Sequence, residues 1–261
     1  LLGLVGSEMC IRDRKKMKFI KSTLFATLLL STSAIAQQFA ATGVHAGFGV
    51  NSINPIAFEN VSKFMESEDF KKQGITAALY ETTINGSDDT THLIEFYYPD
   101  AASYQKAVDI AATSSAAAKL LTTAAQNGTT NTSDSVYINV REKITAADVE
   151  NNKVFYVWRV ETTDFPRYLR EWDKMIEEIE EEGIAGDSYG MKVAFAGALH
   201  GENLFVWAGY ENQQAMIEEL SVFNASESFA RFNARTQGYS SIVANEISTQ
   251  LAIWNGASYT E

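Results

Sequence analysis

The sequence contains few of the residues that build disulfide, metal or cofactor sites. Among 261 residues there are one cysteine, three prolines and three histidines. Cys10 lies in an N-terminal segment set aside below, so neither a disulfide nor a thiol nucleophile is expected. The histidines lack the close spacing of strong metal sites, and neither a phosphate-binding glycine loop nor a GxSxG motif occurs. We therefore expect no metal and no cofactor.

Positive charge and long apolar runs are also scarce. The chain carries 21 basic and 33 acidic residues, a formal net charge of −12. An acidic surface repels phosphate backbones, so nucleic acid is not an expected partner. No apolar stretch reaches the roughly 20 residues that a membrane-spanning helix requires. A membrane-spanning protein is therefore not expected.

The N-terminus reads as two segments outside the folded part. Residues 6–14, GSEMCIRDR, resemble translated sequencing-adapter sequence, and we exclude residues 1–16 from the fold on that ground. Residues 17–36 have two lysines, a short apolar run and a final Ala-Ile-Ala, which predict a bacterial signal peptide cleaved after Ala36. Removing the six basic and two acidic residues of 1–36 leaves 15 and 31, so the mature chain has a net charge of about −16. We expect a soluble protein in the periplasm or secreted from the cell.

The remaining chain repeats one pattern twice. The strand-like VHAGFGV, THLIEFYYPD and SVYINV recur as VFYVWRV, NLFVWAGYEN and QLAIWN, at offsets of about 110 to 115 residues. These offsets predict a tandem duplication in which two copies pack as a pseudo-dimer. We assign residues 37–140 to a first unit, 141–153 to a linker, 154–256 to a second unit and 257–261 to a tail.

Each copy reads as strand, helix, strand, strand, interrupted helix, strand. In the second copy the helix has an apolar stripe at spacings of three and four residues, with Thr163 or Asp164 as its cap. The second helix breaks at SSAAAKL in one copy and at SESFARF in the other. We place the closing strands at residues 136–140 and 251–255, a loop at 122–135 and a short helix in the linker near 146–150.

This βαββαβ order predicts two ferredoxin-like units of the α+β class. Each unit has a four-stranded antiparallel sheet with both helices on one face, so its other face is uncovered. Packing the two uncovered faces together explains why the strands are apolar on both sides. With its broken second helix and tandem copy, the chain resembles the dimeric α+β barrel superfamily over most of residues 43–256. That superfamily includes antibiotic-biosynthesis-type monooxygenases, muconolactone-isomerase-like proteins and NIPSNAP-like proteins.

Several side chains are candidates for a ligand site. Glu95 and Arg159 stand in otherwise apolar strands and would be costly to bury unpaired. With His45 and His92 they could converge in a cavity between sheet and helices; a strand-edge charge or a structural ion pair is the alternative. Trp158 and Trp207 could wall a pocket for a flat apolar ligand, or simply fill the core.

Three functions are compatible with these observations. The sequence favours binding of a small, partly apolar or aromatic molecule in a barrel cavity without catalysis. The resemblance implies the alternative of a cofactor-independent monooxygenase or isomerase, and a structural or interaction module is the third. An enzyme should bring His45, His92, Glu95 or Arg159 together in a pocket, whereas a binder should show an apolar pocket without titratable groups and a structural module should show no pocket. The sequence does not indicate the ligand or any further oligomerisation.

Overall fold

A computed structural model describes residues 43–198 and 200–254. The adapter-like segment, the signal peptide and the tail lie outside these residues and stay predictions. The first half contains four strands and four short helices: β1 Val44–Asn51, α1 Pro55–Met65, α2 Glu68–Lys71, β2 Thr76–Ile84, β3 His92–Tyr98, α3 Ala101–Thr113, α4 Ser115–Gln126 and β4 Thr130–Lys143.

After a short helix, the second half follows the same order. Its elements are α5 Ala146–Asn151, β5 Val154–Thr162, α6 Phe165–Glu181, β6 Ser188–Ala196, β7 Leu204–Tyr210, α7 Gln213–Ala225, α8 Glu227–Thr236 and β8 Ser240–Trp254. The predicted α+β fold is confirmed. The predicted loop at 122–135 is wrong, because α4 extends to Gln126 and β4 already begins at Thr130.

The eight strands form one closed antiparallel barrel in the order β1-β3-β2-β8-β5-β7-β6-β4. The long strands β4 and β8 join the halves, because β4 pairs with β6 and β8 pairs with β2. Each of these strands also pairs within its own half, with β1 and β5 respectively. Closure leaves no free sheet edge, and it puts alternate side chains of every strand inside the barrel.

Local sequence sets the helix boundaries. Asp164 caps α6 by accepting a hydrogen bond from the Arg167 backbone N–H, with Pro166 in the first turn. Ser114 ends α3 and caps α4, and Ser226 does the same between α7 and α8. The predicted helix breaks therefore occur at equivalent serines in the two halves.

The helices pack on the outer face of the barrel. In the first half this face is filled by one buried cluster, whose members come from α1, α2, α3 and the adjoining strands: Ala46, Val61, Phe64, Met65, Phe70, Ile75, Ala77, Tyr98 and Ala107. In the second half, the corresponding space is lined by larger rings and is less completely filled. A cavity therefore remains between the helices and the barrel.

Candidate functional site

A cavity of about 320 Å³ lies between the outer face of the barrel and the helices of the second half. Its floor is formed by alternate residues of β5 and β7, including Trp158, Val206 and Ala208. Strand residues two apart share a face, so these side chains point to the helices while their neighbours point into the barrel. The volume lies in the range typical of small-molecule sites.

Helix α6 forms one wall because its apolar stripe faces the sheet. Buried residues recur along it at helical spacing: Tyr168, Leu169, Trp172, Met175 and Ile179. Phe232 of α8 contacts two of them edge-on, with ring centroids 5.5 Å from Tyr168 and 6.4 Å from Trp172. Phe223 and Phe229 pack together at 4.4 Å on the opposite side. Most of the cavity lining is thus aromatic or aliphatic, and its polar members are Glu219, Asn233, Thr236, Gln237, Ser240 and Ser241.

The strand registers place a small residue on the floor of this cavity. Ala46 lies opposite Phe96 in the β1–β3 pair, and Tyr156 lies opposite Ala208 in the β5–β7 pair. Position 208 is therefore the equivalent of position 96. Phe96 packs against the first-half core, whereas the small side chain of Ala208 leaves the same place open.

Few titratable groups reach this cavity. Glu219 of α7 is exposed at its rim, where burial of part of the carboxyl and the neighbouring Asp187 raise the pKa of Glu219. Burial raises the pKa of the Tyr210 hydroxyl, and Glu219 raises it further. Tyr168 has its pKa raised by burial and then by Tyr239. At neutral pH both tyrosines are uncharged hydrogen-bonding groups.

The predicted site residues do not converge in one place. Trp158 lines the helix-side cavity. His45 and Glu95 line a smaller cavity of about 50 Å³ inside the barrel, and Trp207 contributes to the lining of both cavities. Arg159 is also buried inside the barrel, and His92 lies on the outer face of β3 with its ring 4.0 Å from that of Phe58. The sheet therefore separates the charged candidates from Trp158.

Inside the barrel, Arg159 holds two carboxylates. Its guanidinium lies 2.7 Å from Glu202 and 3.1 Å from Glu246, and Tyr137 donates to Glu202 at 2.8 Å. Burial by itself lowers the pKa of Arg159, but Glu246, Tyr137 and Glu202 raise it more, so the group remains charged. Burial likewise raises the pKa of Glu202, yet Arg159 and the His200 backbone N–H bring its pKa below the ordinary value.

Glu95 belongs to a second buried pair. Lys192 Nζ lies 3.3 Å from Glu95, and Tyr97 donates to the same carboxylate at 2.5 Å. The Lys192 ammonium also lies 4.7 Å from the centre of the Phe205 ring. Burial first, and Lys192 second, hold the pKa of His45 well below its usual range, so its imidazole is neutral. Glu95 and Arg159 are thus only 7% and 5% exposed, and both are ion-paired. A structural ion pair is the alternative to a ligand-site role for these two residues.

The partners Lys192, Glu202 and Glu246 are not among the site residues predicted from the sequence. A signal was available for two of them, because Lys192 and Glu246 are single charges within strand segments. Aligning the two repeats on Leu93 and Leu204, at an offset of 111 residues, places Glu95 opposite Val206 and is one residue out. The register makes Glu95 equivalent to Trp207 rather than to Val206, and a one-residue shift reverses the face of every side chain.

The described residues offer neither a metal site nor a helix that could cross a membrane. Across residues 43–198 and 200–254, no three His, Cys, Asp or Glu side chains are placed to hold a metal ion. None of the helices in this range is long and apolar enough to span a bilayer. Chemically, the helix-side cavity can desolvate an apolar molecule and offer hydroxyl and carboxyl contacts at its margins.

No protein-family model matches the sequence, and no curated protein matches it. Solved structures do resemble the fold. A proposed monooxygenase from Lactobacillus acidophilus is 10% identical, with a TM-score of 0.52 over 82% of this chain and 97% of the other. One from Fusobacterium nucleatum subsp. nucleatum is 14% identical, with a TM-score of 0.53 over 85% and 99%. An anthrone oxidase-like protein is 9% identical, with a TM-score of 0.52 over 83% and 94%. The chain therefore has the dimeric α+β barrel fold, built here within a single polypeptide.

Proposed function

We propose that the protein binds a flat, largely apolar molecule in the helix-side cavity of its second half. The observation that carries the proposal is the 320 Å³ space between α6, α7, α8 and the barrel, lined by Trp158, Trp172 and Phe232. Aromatic walls favour planar ligands, because rings stack or meet edge-on at little conformational cost. The ligand-binding role of Trp158 is part of this proposal, whereas the Trp207 ring packs with Val157 and Phe205 inside the barrel and is not assigned to this ligand.

Binding without catalysis is favoured because the charged groups are engaged elsewhere. Arg159 and Glu95 are paired inside the barrel, and the described lining of the helix-side cavity has Glu219 as its single carboxyl group. A site built for acid–base chemistry would place a desolvated titratable group next to the ligand. Glu219 is instead exposed at the rim.

The test uses N-phenyl-1-naphthylamine, a neutral aromatic dye whose fluorescence rises in apolar surroundings. A neutral probe avoids repulsion by the acidic protein. Ala208→Phe restores the ring that the first half has at Phe96, so we expect dye affinity to fall at least tenfold. Ala112→Phe adds the same ring on the exposed face of α3 and should leave affinity unchanged. Unchanged binding by Ala208→Phe would reject this cavity as the site.

Ligand identity needs a second experiment. Native mass spectrometry of the protein purified from its own host should show a retained small molecule in the wild type and its loss in Ala208→Phe. The same preparation tests export, which we also propose on the signal-like residues 17–36. Amino-terminal sequencing should then find Gln37 first, and an intact start at Met17 would contradict cleavage.

A cofactor-independent monooxygenase is the second candidate. Its support is the raised pKa of Glu219 at the cavity rim and the shared fold with an anthrone oxidase-like protein. In such a reaction anthrone and O₂ give anthraquinone and water, and Glu219 would accept the first proton from carbon. Oxygen uptake with anthrone should then exceed that of a buffer control and fall in Glu219→Gln. Dye binding without any anthrone-dependent uptake would leave binding alone as the function.

A further inference from the structure

The barrel interior contains polar atoms for which the described protein provides no partner. His45 Nδ1, Trp207 Nε1 and Ser248 Oγ are all buried without a hydrogen-bond partner among the described residues. All three residues are at most 7% exposed and line the same interior cavity of about 50 Å³. They come from β1, β7 and β8, so both halves contribute.

Buried polar groups in folded proteins are nearly always hydrogen-bonded, to protein or to ordered water. Three orphan atoms on residues that line one cavity therefore point to a bound species rather than to three separate defects. Trp207 Nε1 can only donate, the Ser248 hydroxyl donates and accepts, and His45 Nδ1 does one or the other according to its tautomer. The bound species must accept at least one hydrogen bond.

The charges around the cavity favour a neutral species. Glu95, Glu142 and Glu246 line it and disfavour an anion, while Lys192 also lines it and, with the Trp207 N–H donor, disfavours a cation. The imidazole of His45 is neutral because burial and Lys192 both lower its pKa. A neutral molecule that both donates and accepts fits these groups.

The volume limits its size. A cavity needs roughly 10–15 Å³ of water-probe volume for each water molecule, so about 50 Å³ accommodates on the order of three or four. We infer that the barrel interior is a specific hydration site, in which a small cluster of ordered waters bridges His45, Trp207 and Ser248 across the two halves. The apolar ligand of the helix-side cavity is a different species on the other face of the sheet.

Water magnetic relaxation dispersion of the full-length wild type counts water molecules held for longer than surface water. We expect several such waters, and we expect Ser248→Val to lose at least one, because the valine occupies their space and removes a partner. Thr249→Val, at the next residue of the same strand with its side chain on the outer face beside Thr83, is the matched control and should leave the count unchanged. An equal count in wild type and Ser248→Val would overturn the inference.

A crystal of the wild type pressurised with xenon gives a readout that does not depend on any variant folding. Xenon enters dry apolar cavities, so it should occupy the helix-side cavity and leave the barrel interior to water. Xenon between His45 and Trp207 would contradict the hydration site. So would density in which His45 Nδ1 and Trp207 Nε1 bond to protein groups.

Discussion

At the scale of single residues, the buried arginine of β5 is the most consequential side chain inside the barrel. Arg159 contacts Glu202, Glu246 and Tyr137, and its guanidinium lies 5.1 Å from the centre of the Phe205 ring. The equivalent position of the first half is Gly49, so the two halves do not share this arrangement. The buried ion pairs inside the barrel therefore differ between the two halves and do not follow the repeat.

Arg159→Met should strongly destabilise the protein. It would leave Glu202 and Glu246 buried and unpaired, and breaking a buried pair in this way costs about 3–5 kcal/mol in free energy of unfolding. Urea unfolding followed by tryptophan fluorescence measures the loss. Arg167→Met is a suitable control, because Arg167 on α6 contacts the Tyr239 ring but pairs with no carboxylate in the described ion pairs. Equal stability of the two variants would contradict the role given to Arg159.

Glu202 should make stability depend on pH in the acid range. Burial raises its pKa, but Arg159 and the His200 N–H outweigh burial, and the folded pKa lies below the ordinary value of 4.5. The unfolded carboxyl therefore binds a proton more tightly than the folded one, so this stability is present above pH 4.5 and is lost as pH falls through the folded pKa. Thermal unfolding between pH 7 and pH 3 should show a smaller acid loss for Glu202→Gln than for wild type. An equal acid loss of stability in wild type and Glu202→Gln would show that the protonation of Glu202 does not affect folding.

At the scale of elements, one serine in each half divides the second helix. It is Ser114 in the first half and Ser226 in the second. Ser226 accepts from the Phe229 N–H at 3.1 Å and donates to the Phe223 carbonyl at 2.8 Å, which fixes the angle between α7 and α8. Ser114 accepts from the Ala117 N–H in the first half. Phe223 and Phe229 both line the helix-side cavity, so the Ser226 break shapes a wall of the site.

Ser226→Ala and Ser114→Ala form a matched pair. Each removes one N-cap, and each should reduce stability by about 1 kcal/mol. Dye affinity should fall several-fold in Ser226→Ala, because the Phe223–Phe229 wall is less well held, and should be unchanged in Ser114→Ala. Denaturant unfolding gives the first quantity and dye titration gives the second. Equal dye affinity of the two variants would show that the helix break at Ser226 does not shape the cavity.

At the scale of the whole molecule, the halves complete each other through their longest strands. β4 and β8 each pair once within their own half and once with the other half. A half by itself would expose β2 or β6 as a free edge and uncover the charged interior face. The barrel is therefore expected to unfold as one cooperative unit.

Splitting the chain between Lys143 and Ala146 tests this dependence. Fragments 37–144 and 145–256, each expressed alone, should fail to form a stable monomer, and mixing them should give a 1:1 complex that binds the dye. Size-exclusion chromatography with light scattering gives the stoichiometry. A stable, monomeric second fragment that binds the dye with wild-type affinity would show that barrel closure is not required.

Sequence alone determined the order of elements, the positions of the helix breaks and the class of fold. Apolar periodicity, the breaks near Ser114 and Ser226, and a cap at Thr163 or Asp164 are local signals that act within a few residues. They therefore predicted two βαββαβ units that cover each other's uncovered sheets, and they placed His45, His92, Glu95 and Arg159 on the right elements.

Tertiary structure decided which face each candidate occupies and where the space lies. The early starts of β4 and β8 depend on pairing with distant strands of their own halves, because Thr130 pairs with Asn51 and Ser240 pairs with Thr162. Neither Thr130 nor Ser240 carries a local strand signal strong enough to extend the prediction. The partners Glu202 and Glu246 are 43 and 87 residues from Arg159 along the chain. The opening above Ala208 exists because the ring of this strand pair lies on Tyr156 and not at the position equivalent to Phe96, an exchange that periodicity does not register because all these residues are apolar.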